Sequence, residues 1–366
     1  MILSLLLHRY EGRKYFSQIR RHDKKYVFLS ENQGLTCEIV KIFSGSTGNA
    51  LILDPQRSCF TLAESGLFKY CSEKGVRSSA RAMDNRITIT DLLKAKQERR
   101  PVVAVSCYDY TTARLVSQAP VDIILVGDSA AQLMLGFNST LPATMDFMVA
   151  ITAAVRRGAP DVYLVADMPF LSYQISIAEA IRNAGRFLTE AGVQMVKIEA
   201  TAAHVPTVKA VTDAGIAVMA HIGIRPQRIS TIGRLRAEAT TADMAIELIE
   251  LARQMIEAGS GALLIEGTAA EVAQIIAERS DVPVISCGSG SGCDGQILIA
   301  PDILGLSQGR LPKFTRAYDE LGVRAIEAVR AYADDVRARR FPDAEHSYHM
   351  KDCELSRLKE LLRPAP

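Results

Sequence analysis

The stretch "DIILVGDSAA" (residues 122–131) sets the reading of the fold. Its four consecutive apolar residues, Ile123 to Val126, show no alternation, which marks a strand covered on both faces. Gly127, Asp128 and Ser129 follow at once, so a carboxylate stands at the mouth of a buried strand with no turn-like spacer. Outward from this stretch the same unit recurs: a short apolar run, a polar residue or two at its end, then a segment of helical period. The runs are "PVVAVS" (101–106), "DIILVG" (122–127), "VYLVAD" (162–167), "VQMVKIE" (193–199), "IAVMAH" (216–221), "GALLIE" (261–266), "VPVIS" (282–286) and "DILGL" (302–306). Helices are expected between them at 176–192, 241–259 and 269–280, the first two closing on a glycine. A doubly wound open sheet shares this local pattern, but the count of eight in about 250 residues predicts a TIM (β/α)8 barrel.

The flanks break the rhythm. Residues 1–82 carry no sustained period and hold three of the seven cysteines, so they are expected to form a poorly structured extension, with Met83 as a candidate native start. Glu11, Asp23, Glu31 and Glu38 speak against a transit peptide there. The barrel domain is expected over 83–350, with a charged amphipathic helix at 319–342 and a tail at 351–366.

Composition narrows the function. Forty-three basic against 41 acidic residues give a net charge of +2, so no global field favours nucleic acid, and a small-molecule partner is expected. The cysteines are odd in number and never spaced Cys-x-x-Cys, which argues against a disulfide framework or zinc site and for a reducing, cytoplasmic setting. No segment approaches membrane-spanning length, so a soluble protein is expected.

In a barrel the C-terminal ends of the strands converge on one face, and that face holds the active site. Asp128 and Ser129 follow the second strand; Asp167, Lys197 with Glu199, His221 and Glu266 end the next four. Singly, Asp128 or Asp167 could cap a helix, Glu199 could pair with Lys197, and His221 could be structural. Together, several carboxylates facing one pocket repel each other unless a proton or cation neutralises them, which predicts an all-oxygen site for a hard divalent metal, Mg²⁺ by default. The glycine-rich "CGSGSGCDG" (287–295) after the seventh strand reads as a tight turn that lets the backbone approach a ligand.

At these residues the sequence resembles the ketopantoate hydroxymethyltransferase (3-methyl-2-oxobutanoate hydroxymethyltransferase) family. The ordered segments that carry the resemblance include "SCYDYTTARL" (106–115), "ILVGDSAAQLMLGFNSTLPATMD" (124–146), "VADMPFLSY" (165–173), "MVKIEA" (195–200), "AHIGIRPQ" (220–227), "LLIEG" (263–267), "CDGQILIAPDILGL" (293–306) and "FPDAEHSYHM" (341–350). The resemblance implies a TIM barrel, Mg²⁺, 5,10-methylenetetrahydrofolate as one-carbon donor, and a homo-oligomer, a decamer in the family. It further implies that Asp128, Asp167 and Glu199 hold the metal, that Ser129, Lys197 and Asp167 bind the 2-oxo acid, and that Glu266 is the catalytic base. A Glu266 buried in the barrel would have the raised proton affinity that a base needs. Three departures stand out: Ala200-Thr201 replaces the family's Gly-Gly, Ile151 stands where the family has His, and "IGRLRAEAT" (232–240) replaces a glycine-rich loop with an aromatic. These touch folate handling and subunit contacts rather than the metal and keto-acid residues. A diverged barrel enzyme using the same enolate chemistry on another 2-oxo acid, and a non-catalytic paralogue, are the competing readings.

Overall fold

The computed structural model describes residues 86–363, apart from positions 308 and 310, and the backbone of strands within residues 6–61. The chain divides between Asp84 and Asn85. In the N-terminal unit, Lys14–Arg21 pairs antiparallel with Leu6–Tyr10 and with Lys24–Glu31, and Ala50–Leu53 pairs with Val40–Lys41 and Phe60–Thr61.

The second unit is the barrel. Its strands are β1 (Val102–Ser106), β2 (Ile123–Val126), β3 (Tyr163–Asp167), β4 (Met195–Glu199), β5 (Val218–Gly223), β6 (Ala262–Glu266), β7 (Val284–Cys287) and β8 (Gly295–Ile299). All neighbours are parallel, and β8 closes on β1 with Gly295 opposite Val102 and Ile299 opposite Ser106. Helices α1 (Ile89–Gln97), α2 (Tyr110–Val116), α3 (Met145–Gly158), α4 (Ile177–Ala191), α5 (Val205–Asp213), α6 (Ala242–Glu257) and α7 (Ala270–Arg279) accompany the strands. Their starts are chemically marked. The side chains of Asp109, Thr144, Ser176 and Thr241 each accept a hydrogen bond from a backbone N–H in the first turn of α2, α3, α4 and α6. Gly192 ends α4 in the left-handed conformation, as expected from its position.

Alternation along the strands divides the core into two layers. Ile124, Val126, Leu164, Ala166, Val196, Ile198, Leu263 and Ile265 face outward, against helical residues such as Val155, Phe187 and Met255. Ile123, Leu125, Tyr163, Val165, Met195, Met219, Ala262, Leu264, Ile285 and Ile297 fill the interior with Leu92 and Ala95 of α1, which closes the end where the strands begin. Two-sided burial explains why these strands read as unbroken apolar runs. The inward parity also decides what comes next on each strand: after Tyr163 and Val165 it selects Asp167, and after Met195 it selects Lys197 and Glu199.

The eighth strand is not "DILGL". It is "GQILI", immediately after the glycine turn, and Ala300–Ile303 is a helical turn with Pro301 at its start. The reason is steric: a Cβ on Gly295 would lie 2.5 Å from the Val102 carbonyl oxygen, so only glycine lets the chain enter beside β1 there. The charged C-terminal helix, α8, spans Leu321–Arg337, shorter than the expected 319–342; Arg339 adopts a positive φ of 57°, which turns the chain before Pro342. A further helix, α9, spans Asp352–Leu361, where a tail was expected.

Gly223 carries a prediction of its own. It has φ of +89°, and a Cβ there would lie 2.3 Å from the Glu266 carbonyl oxygen. Gly223→Ala is therefore expected to lower the urea midpoint by an amount equivalent to about 2–4 kcal/mol, from backbone strain plus overpacking, with an unchanged m-value.

Candidate active site

The inward parity gathers the polar residues into one layer at the C-terminal mouth. They line a cavity of about 330 Å³ that includes Asp128, Asp167, Lys197, Glu199, His221 and Glu266, with Ser129 beside them. Strand register fixes the neighbours: Lys197 stands opposite Asp167, Glu199 opposite His221, and Glu266 opposite Gly223. Each of the expected site residues is thus in the same chamber.

Lys197 is the cation of the layer. Its Nζ lies 2.8 Å from Asp167 Oδ2 and 3.2 Å from His221 Nδ1, with both carboxylate and lysine buried. The partner of Lys197 is therefore Asp167 on the adjacent strand, not Glu199 two residues along its own. Burial opposes the ammonium, but Asp167, Asp128 and Glu199 together hold it above the usual lysine range. Asp167 Oδ2 also accepts the Asp128 backbone N–H at 3.0 Å, which ties the β2 mouth to β3. Asp167 Oδ1 is buried with no hydrogen-bond partner. An orphaned carboxylate oxygen in an acidic layer is a natural ligand position for a cation.

Asp128 and Glu199 resist ionisation. Burial first, then the charge of Asp167, raise Asp128 well above the ordinary carboxylate range. Burial pushes Glu199 up to about 8, against the pull of Lys197 and of the Gln227 N–H. Gln227 links them: its Nε2 donates to Asp128 Oδ2 at 2.9 Å and to the Met168 carbonyl at 3.0 Å, while its backbone N–H donates to the Glu199 carboxylate at 3.1 and 3.2 Å. The Tyr173 hydroxyl, 2.8 Å from Gln227 Oε1 and 3.1 Å from the Glu199 carbonyl, completes the clasp. Among the described residues no three His, Cys, Asp or Glu side chains are grouped as a metal-holding set. The donor set fits a hard cation in another way. Mg²⁺ is commonly held by one or two carboxylates plus substrate and water, and Asp128 with Asp167 supplies two.

Ser129 Oγ lies 2.9 Å from the Tyr108 hydroxyl. A Cβ on Gly127 would stand 3.0 Å from that Oγ, which explains the glycine before Asp128. His221 is buried, and burial followed by the Lys197 charge lowers its proton affinity. Glu266 differs from expectation. Its side chain is 22% exposed at the rim rather than enclosed, with Oε2 3.3 Å from His221 Nε2. It is the last residue of β6, one step above the apolar interior layer, so water reaches it until a ligand fills the cavity.

Sequence reasoning did not single out Gln227, Tyr173 or Tyr108. All three sit inside segments quoted for the family resemblance, but nothing in local spacing ties Gln227 to Asp128, 99 residues away. The altered loop at 232–240 is held by an Arg225–Glu238 ion pair of 3.2 Å and by Glu238 N donating to the Gly267 carbonyl. Its Leu235 lines both the polar cavity and a second cavity of about 410 Å³ bordered by Arg234 and Arg236.

The chain is similar to several known proteins. A 2,3-dimethylmalate lyase of the PEP mutase/isocitrate lyase superfamily superposes with a TM-score of 0.48 at 18% identity, over 76% of this chain and 93% of that one. The 3-methyl-2-oxobutanoate hydroxymethyltransferase of Geobacillus sp. (strain WCH70) is 41% identical over 265 residues, 72% of this chain and 95% of the relative. The protein of the same name from Pseudothermotoga lettingae is 44% identical over 255 residues, 70% of this chain and 96% of the relative. The family model of ketopantoate hydroxymethyltransferase matches residues 86–344, so the chain belongs to the ketopantoate hydroxymethyltransferase family and with it to the hydroxymethyltransferase enzymes.

Proposed function

We propose that this enzyme transfers a hydroxymethyl group from 5,10-methylenetetrahydrofolate to 3-methyl-2-oxobutanoate, giving 2-dehydropantoate, the first step of pantothenate biosynthesis. The observation that carries the reading is the single layer in which Lys197, two adjacent carboxylates and Glu266 face one cavity. Lys197 has three ammonium protons, of which Asp167 and His221 engage two, leaving the third for the keto oxygen of the substrate. Ser129, which lines the same cavity, binds the substrate carboxylate in this reading. Glu266 takes the C3 proton; the C–H electron pair becomes the enolate, and C3 then bonds to the methylene carbon. The two carbon–nitrogen bonds that hold the methylene to the folate break in turn, one as C3 bonds to the carbon and the other as water supplies the hydroxyl, and the two nitrogens take up the C3 proton and one proton of that water. Asp128 and Asp167 are the residues to hold Mg²⁺, with Glu199 as the third acid beside them. When bound, the ion acts as a Lewis acid on the keto oxygen.

The test is NMR of 3-methyl-2-oxobutanoate in D₂O with enzyme and Mg²⁺, with and without methylenetetrahydrofolate. Deuteration at C3 plus 2-dehydropantoate supports the whole reading. Deuteration alone would retain the enolate chemistry and assign the lost step to the loop at 232–240. Neither, in a folded sample, would sink it.

A second expectation concerns cation binding and pH. Glu199 holds its proton up to about pH 8 when folded against an ordinary 4.5, so its contribution to stability is complete below about 4.5 and is lost as pH rises to about 8. A cation replaces that proton. The Mg²⁺-induced rise in melting temperature should therefore be larger at about pH 8.5 than at about pH 5.5, and equal shifts would contradict the assignment of these acids.

The reading extends to assembly and setting. On α8, Val323, Ile326, Val329, Tyr332 and Val336 form an exposed apolar stripe, which supports a homo-oligomer. Among the described residues, no helix is long and apolar enough to cross a membrane, and Cys107, Cys287, Cys293 and Cys353 are free thiols, which supports a cytoplasmic enzyme.

A further inference from the structure

His221 lies between the two chemical ends of the site, and the polarity of its neighbours fixes where its proton sits. Lys197 Nζ stands 3.2 Å from Nδ1. An ammonium only donates, so Nδ1 must accept and cannot carry a hydrogen. The other group near Nδ1, Glu199 Oε1, is 3.9 Å away and beyond hydrogen-bonding distance, and its carboxylate is already engaged by the Gln227 backbone N–H. The ring hydrogen is thereby left on Nε2. That nitrogen is buried and makes no well-aligned hydrogen bond, and the carboxylate oxygen 3.3 Å from it is Glu266 Oε2. A buried donor without a partner is costly, so rotation of the Glu266 carboxylate into line relieves the cost and selects one carboxylate orientation.

We infer that His221 is a positioning residue: held as the neutral Nε2–H tautomer by Lys197, it donates to Glu266 Oε2 and aims the other carboxylate oxygen into the cavity. The inference deepens the functional reading above and rests on it for the identity of the proton that Glu266 removes. The physical logic is that of an outer hydrogen-bond partner orienting a reactive group. Two consequences follow. The same lysine that contacts the keto oxygen also orients the base, through one ring. And because Glu266 is partly exposed, a fixed carboxylate is what the open rim would otherwise lack; the short strand end of β6 provides no second donor to it among the described residues.

The experiment separates the two edges of the ring. Glutamine places an amide N–H where Nε2–H was, and asparagine places an amide oxygen where Nδ1 was. His221→Gln should keep the C3 deuterium-exchange rate within about 5-fold of the wild type, whereas His221→Asn should lower the maximal rate by about 10- to 100-fold with a KM for 3-methyl-2-oxobutanoate changed by less than about 3-fold. Circular dichroism melts of both variants establish that they are folded. Independently of turnover, a long-range proton–nitrogen NMR spectrum of histidine-labelled full-length protein, with His221 assigned by loss of its signals in the Gln variant, should show the Nε2–H tautomer. An Nδ1–H or doubly protonated ring, or Asn and Gln variants of equal rate, would overturn the inference. If the wild type exchanged no C3 proton, the functional reading would fall, while the spectrum would still decide the state of His221.

Discussion

Glu266→Gln should abolish C3 deuteration of 3-methyl-2-oxobutanoate to within detection, a loss of about 10²–10⁴-fold in the maximal rate, while the KM for the 2-oxo acid stays near that of the wild type. The split follows from the geometry. Glu266 ends β6 on the side of the cavity opposite the carboxylate pair, so the proposed base is expected to contribute to proton removal and little to holding the ground-state keto acid. Glutamine keeps the size and can still accept from His221 Nε2, so the fold should be unaffected; only the ability to take a proton is removed. A rate loss matched by an equal rise in KM would instead mean that Glu266 binds substrate, and the role of base would pass to another group.

Lys197→Met should produce the largest loss of stability of any single change in the site. The lysine is the cation among Asp128, Asp167 and Glu199, and its ion pair with Asp167 is 6% and 1% exposed on the two sides. Removing one partner of a buried pair leaves an uncompensated charge, which costs about 3–5 kcal/mol. The sign of the pH dependence checks the cause. With the cation gone, Asp128 and Glu199, already raised by burial, will hold protons more tightly still. The variant should therefore recover stability relative to wild type as pH falls, because protons neutralise the layer in place of the ammonium. A urea midpoint deficit that is the same at low and high pH would point to lost packing of the lysine stem rather than lost charge.

The closed barrel turns a one-dimensional pattern into this arrangement. Period-two alternation is local, so the sequence by itself determined that Lys197 and Glu199 share a face, that Asp128 and Ser129 follow β2, and that Glu266 ends an otherwise apolar strand. It also determined the existence and order of seven of the strands, because strands buried on both faces must be apolar throughout. The eighth escaped because its first residue is a glycine required by a close approach to Val102, a contact from the far end of the chain. Local pattern carries no such information.

Cross-strand neighbours belong to the tertiary structure alone. The register of β3 against β4 puts Asp167 beside Lys197, and the register of β4 against β5 puts Glu199 beside His221. The stagger of strands around the barrel sets both, and it depends on every strand at once. The same holds for Gln227, a residue of ordinary surface chemistry that becomes the donor to both Asp128 and Glu199 only because the segment after β5 folds over the mouth of β2. It holds too for Glu266, whose partial exposure reflects the height of β6 in the rim and not the apolar run before it. The residues proposed to do the chemistry were thus legible along the chain. Which of them touch, which stay protonated, and which one water can reach were decided by packing, since those properties depend on distance and burial between residues far apart in sequence.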